Sequence, residues 1–240
     1  MMGNLLLRGM LAGLLAAVFA FGFAKVFGEP QVDRAIAFEE QMNAHAHSGE
    51  AEEPEIVSRE VQASIGLLTG VAVYGAALGG LFALAFAFVS GRLLQLPPRA
   101  TAILIAGLGF LAFYVVPYLK YPANPPAVGS GETIGYRTQL YFTMIVFSAA
   151  ALAIAIAFGR QLAAKLGTWN AIIGGGAVYL VLVSIAAYAL PGINEVPANF
   201  SADLLWHFRI AALGTQAILW IVIGLAFGAL MDRSQPRHAH

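Results

Sequence analysis

Side chains that bind metal ions are concentrated in one polar segment of an apolar sequence, "EEQMNAHAHSGEAEEPE" (39–55). His45 and His47 are one residue apart, so in extended or loop backbone both imidazoles can turn toward the same ion. Carboxylates follow directly, and nitrogen with oxygen ligands suits Co²⁺, Ni²⁺, Zn²⁺ or Mn²⁺. The carboxylates are Glu50, Glu52 and Glu53. The same composition is typical of a disordered acidic linker, and both interpretations stay open.

A second set of candidate metal ligands lies in "PGINEVPANFSADLLWHFR" (191–209), namely Asn199, Asp203 and His207. Asp203 and His207 are four residues apart, so in a helix they stand on one face and could hold an ion together. Structural roles compete with this interpretation. Ser201 or Asp203 could cap the helix, and His207 could belong to an aromatic belt at the membrane surface.

Several kinds of chemistry are excluded or disfavoured. The 240 residues include no cysteine, which excludes disulfides, thiolate metal sites and cysteine nucleophiles. The glycine-rich "GSGETIG" (129–135) has neither the preceding strand nor the lysine of a phosphate-binding loop. No nucleophile and base pair can be placed. We therefore predict no enzymatic activity and no tightly bound cofactor, and the zero net charge offers no argument for nucleic acid.

The composition is that of a membrane protein, with 59% hydrophobic and 11% charged residues. A helix needs about 20 apolar residues to cross the hydrocarbon core. Six runs qualify: 5–27, 65–90, 100–119, 139–159, 168–190 and 210–231. We predict an all-α, polytopic integral membrane helical bundle of six transmembrane helices, forming a single membrane domain over 1–240. The first run also resembles a secretory signal, and its cleavage would leave five spans.

The distribution of charge predicts the orientation of the bundle. With the N-terminus in the cytoplasm, twelve of the thirteen acids fall on the outside, and basic residues dominate the short inner connections (91–99 and 160–167). Both termini, including the tail 232–240, are then cytoplasmic. The chain forms three hairpins with long outer loops, and the first of these, 28–64, carries the acidic segment. Within this loop, residues 31–44 have the apolar spacing of a short surface helix.

The predicted spans contain almost no ionisable side chains, since only Arg8 and Lys25 occur, near the ends of the first. Proton-coupled carriers and haem-binding bundles place acids or histidines at depth, and this chain does not. The polar residues within the spans are expected to form hydrogen bonds between helices. They include Thr69, Tyr74, Thr143, Ser148, Ser184, Thr215 and Gln216.

Three motifs resemble those of one known family. "LLLRGMLAGLLAA" (5–17), "PYLKYPANPPAVG" (117–129) and "LPGINEVPANFSADLLWHFR" (190–209) look like the corresponding segments of the CbtA family of probable cobalt transporter subunits. The resemblance covers essentially the whole chain. It implies a protein of the bacterial cytoplasmic membrane that takes up cobalt for cobalamin synthesis, alongside a small single-span partner, CbtB.

Two functions follow as expectations. The first is a divalent-cation permease subunit that collects Co²⁺ at its outer face and passes the ion to a mouth formed by Asn199, Asp203 and His207. The second is a non-transporting membrane scaffold or metal sensor that acts on a partner protein. Nitrogen and oxygen ligands alone do not select cobalt over nickel or copper, so the choice of metal rests on the resemblance.

Overall fold

The computed structural model describes residues 2–46, 57–93 and 95–233, without the side chains of 43–46. These residues form eight α-helices: α1 (Met2–Phe23), α2 (Glu29–Ala46), α3 (Arg59–Val61), α4 (Leu67–Val89), α5 (Pro98–Phe110), α6 (Val116–Lys120), α7 (Ile134–Ala189) and α8 (Ala202–Asp232). Three π-helical turns each join one α-helix to the next: Ala24–Gly28 joins α1 to α2, Gln62–Gly66 joins α3 to α4, and Leu111–Val115 joins α5 to α6. The helical backbone continues through each of these turns. Such turns insert one residue into an α-helix and shift its register.

Five helical stretches in the described ranges are long and apolar enough to cross a membrane. They are Met2–Met42, Arg59–Val89, Pro98–Lys120, Gly131–Ala189 and Ala202–Asp232. The prediction of an all-helical membrane protein is confirmed. The number of spans is not, because two of the six predicted runs, 139–159 and 168–190, fall within the single stretch that contains α7.

The helices extend well beyond the apolar runs that the sequence marked. The expected surface helix over 31–44 is helical, but it continues the first span as one rod through Ala46. The last span begins at Ala202 rather than at 210. Hydropathy locates the part of a helix that suits lipid, whereas polar residues can prolong that helix into water at little cost. Much of the predicted outer loop 28–64 is therefore helix.

Helix α7 cannot be one straight span. Its 56 residues would extend about 84 Å, nearly three times the hydrocarbon thickness. Gly167 interrupts the helical backbone with φ 80° and ψ 166°, a conformation that glycine adopts without strain. The two halves then pack against each other, since Ser148 Oγ lies 2.8 Å from Tyr179 Oη. The chain therefore reverses at Gly167, and the expected inner loop over 160–167 is helical as far as the residue before it.

The chain divides into two compact units. The first contains residues 1–110, 125–127 and 199–240, and the second contains 111–124 and 128–198. In the first unit, Phe82, Phe86 and Phe227 pack edge to face with ring centroids 5.1 to 5.4 Å apart across α4 and α8. In the second, Met144 and Tyr179 belong to the core between the halves of α7. Each unit thus has an apolar core of its own.

Helices α1 and α4 approach each other closely along a seam of glycines. A Cβ atom on Gly79 would lie 2.0 Å from the carbonyl oxygen of Gly9, and one on Gly75 would lie 2.6 Å from that of Gly13. No side chain fits at these distances, so the backbones themselves are in contact. Small residues spaced by four are typical of close helix crossings in membranes.

We predict that Gly79→Ala destabilises the protein by about 1–3 kcal/mol, because the added methyl group must push α1 and α4 apart. The measurement is thermal unfolding of the purified protein in detergent. Gly70→Ala is the matched control, since it lies on the same helix with no atom within 4 Å of an added Cβ. A loss of stability as large at Gly70 as at Gly79 would contradict the close contact as the cause.

Candidate functional site

Helix α2 docks on the segment that leads into α8. The ring of Phe38 lies edge to face on that of Phe200, with centroids 5.0 Å apart, and Phe200 is buried. Close by, the amide Nδ2 of Asn199 donates a hydrogen bond to Met42 Sδ over 3.2 Å. The predicted first and last outer loops are therefore in direct contact, although 157 residues separate Met42 from Asn199.

Ser201 caps the N-terminus of α8. Its hydroxyl accepts a hydrogen bond from the backbone N–H of Leu204 at 3.3 Å, which satisfies one of the unpaired donors of the first turn. Of the two cap candidates, the structure therefore selects Ser201. The carboxylate of Asp203 stays available for other contacts at the start of the helix.

Asp203 and His207 form the pair that their spacing predicts. His207 Nδ1 lies 3.3 Å from Asp203 Oδ1 and 2.9 Å from the backbone carbonyl oxygen of the same residue. When Nδ1–H donates to these oxygens, Nε2 carries the lone pair of the ring, which is the usual arrangement of a metal-binding histidine. Both side chains are more than half exposed, at 54% for His207 and 74% for Asp203. An ion can therefore reach them from solvent.

The remaining predicted ligands are placed differently. The backbone is helical at His45, in the last turn of α2 rather than in the extended segment that we expected. His47, Glu50, Glu52 and Glu53 lie outside the described residues. Within the described ranges, no group of three His, Cys, Asp or Glu side chains is arranged to hold a metal ion. Asp203 and His207 would thus need further ligands for a complete coordination shell.

Glu195 joins the loop before α7 to the loop before α8 through contacts that the sequence did not predict. Its Oε2 accepts hydrogen bonds from the backbone N–H of Ser130 and from the hydroxyl of Thr133, each at 3.0 Å. Arg137 Nε lies 3.5 Å from the same oxygen, and Arg137 Nη2 donates to the carbonyl oxygen of Ser130. These contacts join residues 130–137 to the loop before α8. The one signal in the sequence is Arg137, two residues after the glycine-rich segment 129–135.

The hydrogen bonds hold the pKa of Glu195 below its ordinary value of 4.5. The Thr133 hydroxyl has the largest effect, followed by the Ser130 N–H and then by the charge of Arg137, and all three favour the ionised carboxylate. Burial acts in the opposite direction and is outweighed. The ionised carboxylate of Glu195 therefore holds two loops of the second unit together.

The polar groups inside the spans serve two different purposes. Tyr74 Oη donates to Gln216 Oε1 over 3.4 Å, which links α4 to α8, and Ser148 pairs with Tyr179 between the halves of α7. These contacts agree with the expectation of hydrogen bonds between helices. Thr143 and Thr215 instead bond to carbonyl oxygens four residues earlier in their own helices. A hydroxyl that can reach its own backbone satisfies itself without a neighbour.

Comparison with known proteins gives one match. A family model described as "Probable cobalt transporter subunit (CbtA)" matches residues 2–232, nearly the whole chain. No curated protein and no solved structure matches. The match includes the helix α2, the loop held by Glu195 and the Asp203–His207 pair.

We predict that Glu195→Gln lowers the melting temperature by about 1–3 °C at neutral pH, because a neutral amide binds Arg137 and its donors more weakly. Since the pKa of Glu195 is lowered on folding, its ionised form stabilises the folded state fully above about pH 4.5, the ordinary value, and this stabilisation is lost as the pH falls through the lower folded pKa. The difference between wild type and variant should therefore vanish in acid.

The measurement is thermal unfolding in detergent from pH 7 down to pH 3. Glu132→Gln is the matched control, because Glu132 is an exposed acid in the same turn. A difference between wild type and Glu195→Gln that persists unchanged below the folded pKa would contradict the assignment.

Proposed function

This chain belongs to the CbtA family of probable cobalt transporter subunits, and from this premise we propose that it is a cytoplasmic-membrane subunit of a cobalt uptake transporter that captures the ion at its extracytoplasmic loops. The family makes it a membrane transport protein. The capture site, the orientation and the partner are our proposal. We propose no catalytic role for the chain.

We propose six transmembrane spans in one membrane domain, with the first span retained. The reversal at Gly167 supports this count, because a helix of 56 residues folded in two supplies two spans of ordinary length. The close packing of α1 supports its retention, since its glycines contact the backbone of α4 and its Ala16 and Ala20 are fully buried. A cleaved signal needs no such fit.

The proposed orientation places both termini in the cytoplasm. At the proposed inner surface, Arg99 pairs with Asp232 at 2.9 Å, and Arg8 contacts the sulfur of Met231 at 3.7 Å. Basic residues in short connections favour the cytoplasmic side. The other twelve acids then lie outside, where they attract cations from the medium.

Ion capture at the outer face is supported by the contact between α2 and the start of α8. The acidic, histidine-containing segment begins within the last turns of α2, and Met42 in the same part of α2 touches Asn199, four residues before Asp203. Ligands on this segment could thus supplement the Asp203–His207 pair, which supplies one imidazole and one carboxylate. Such mixed nitrogen and oxygen ligands suit Co²⁺.

Passage through the membrane requires help that the described spans do not provide on their own. A dication in hydrocarbon needs compensating oxygen atoms, and these spans hold neutral hydroxyls and amides rather than carboxylates. We propose that a partner subunit, such as a small single-span CbtB-type protein, or a water-filled path completes the route. The word "subunit" in the family description agrees with a partner.

A second candidate is a membrane scaffold or sensor that binds metal outside and acts on a partner without moving ions. The neutral side chains of the described spans favour it, because a sensor needs no path for a dication through the hydrocarbon. The two functions differ in one observable. A permease moves Co²⁺ across the membrane, whereas a sensor binds Co²⁺ with no flux.

We expect Asp203→Asn and His207→Ala each to raise the Co²⁺ concentration for half-maximal uptake about tenfold, because each removes one ligand or its orienting partner. His45→Ala combined with His47→Ala should also reduce uptake, because the proposed acidic segment passes the ion to the mouth. The measurement is radioactive Co²⁺ uptake in cells that express the chain with and without its partner, in competition with Ni²⁺ and Zn²⁺.

The control variant for this assay is Glu60→Gln, an exposed acid on the same proposed side of the membrane. It changes net charge as Asp203→Asn does, so it separates a ligand effect from general electrostatic attraction. Equal losses in both variants would argue against the mouth. Bound Co²⁺ without uptake in the wild-type protein would favour the sensor.

The orientation has its own test, because the chain holds no native cysteine. We expect a membrane-impermeant thiol reagent added to whole cells to label Ser48→Cys and to spare Gln161→Cys. Both thiols should react after the membrane is permeabilised, which controls for accessibility. Labelling of Gln161→Cys alone in intact cells would invert the topology and with it the proposed site of ion capture.

A further inference from the structure

Reciprocal contacts join the base of α2 to the start of the next helical rod. The ammonium of Lys25, just before α2, donates to the carbonyl oxygen of Ala63 over 2.9 Å. In the opposite direction, Arg59 Nε donates to Asp33 Oδ1 over 2.9 Å, and Arg59 Nη2 contacts Glu29 Oε2. The side chains of Lys25 and Arg59 therefore bridge the same two helical segments, each reaching from one segment to the other.

The guanidinium of Arg59 restrains α2 in two ways. Glu29 and Asp33 are four residues apart, so both carboxylates stand on one face of the helix. A planar, rigid guanidinium bonded to both fixes the rotation of α2 about its axis as well as its distance from α3. The Glu29 side chain is only 11% exposed, so solvent screens its contact less than that of a surface pair.

Because α2 is a rigid helix, fixing its base also fixes the position of its far end, which lies at the proposed mouth. Met42 lies nine residues beyond Asp33, about 14 Å further along the rod. Its sulfur accepts the hydrogen bond from Asn199 Nδ2. Because the amide group is planar, holding its nitrogen also sets the direction of its oxygen Oδ1, and amide oxygens are good ligands for cations. Asp203 follows four residues later along the chain, in the first turn of α8.

We propose that Arg59 is a positioning residue for ion capture: it locks the base of α2, so that the tip of this helix orients the amide of Asn199 beside the Asp203–His207 pair. Arg59 itself does not touch the ion. This inference rests on the proposed function, since it assigns Asn199 a role in the same mouth. It predicts an effect on affinity for Co²⁺ rather than on the maximal rate of uptake.

The first part of the test measures the position of α2 without any transport. In the cysteine-free chain, Met42→Cys and Asn199→Cys are combined and joined by a short bifunctional thiol reagent. Adding Arg59→Gln should slow cross-linking about three- to fivefold, the range expected for losing a partly buried ion pair. Arg59→Lys should restore part of the rate. Arg34→Gln, the same change at an exposed arginine on α2, is the matched control and should have no effect.

The second part measures Co²⁺ in chains that keep Met42 and Asn199. Arg59→Gln should raise the half-saturating concentration about three- to fivefold in uptake and in equilibrium binding to the purified protein, with the maximal rate unchanged. Asp33→Asn provides a milder version of the same loss, because its carboxylate is 60% exposed. It serves if the Arg59 variant fails to fold.

The outcomes separate this inference from the proposed function. Unchanged cross-linking in both Arg59→Gln and Asp33→Asn would overturn the positioning role. Slower cross-linking with unchanged Co²⁺ binding would also overturn it, because α2 would then move without affecting the mouth. Absence of Co²⁺ uptake in the wild-type chain would instead overturn the proposed function, while equilibrium binding would still decide whether Arg59 positions Asn199.

Discussion

The hydrocarbon of the membrane does not tolerate unpaired charge, and this constraint determines where charged and neutral side chains lie along the helices. Ion pairs of the described residues lie just beyond the ends of the apolar runs: Arg59 with Glu29 and Asp33, Arg99 with Asp232, and Arg137 with Glu195. Between these ends, neutral hydroxyls, amides and glycines fill the spans. The proposed binding of a metal ion therefore belongs to the surfaces, where charged side chains can be hydrated.

Close backbone contact takes the place of bulky side chains where α1 meets α4. In lipid there is no hydrophobic gain from joining two apolar helices, so packing and hydrogen bonds must do so. The glycine seam brings α1 against α4, and Tyr74 with Gln216 adds a polar link from α4 to α8. The resulting first unit gives α2 a firm base, from which that helix reaches the start of α8.

Each unit fixes polar segments near its helix ends with an arginine close to the start of a helix. In the first, Arg59 holds the two carboxylates of α2, and in the second, Arg137 and its neighbours hold Glu195. Both arginines bond to acids far away in the sequence. Asp203 remains exposed beside His207, and to these two side chains we assign the proposed ion capture.

The sequence by itself determined the helical membrane class and the spacing that pairs Asp203 with His207, because hydropathy and helical spacing are local properties of the chain. Only the tertiary structure decided that α1 and α2 form one rod, that α7 reverses at Gly167, and which acid meets which arginine. Many acids and arginines could pair by charge alone. The approach of segments separated by tens of residues selects among them, and a local pattern does not contain that information.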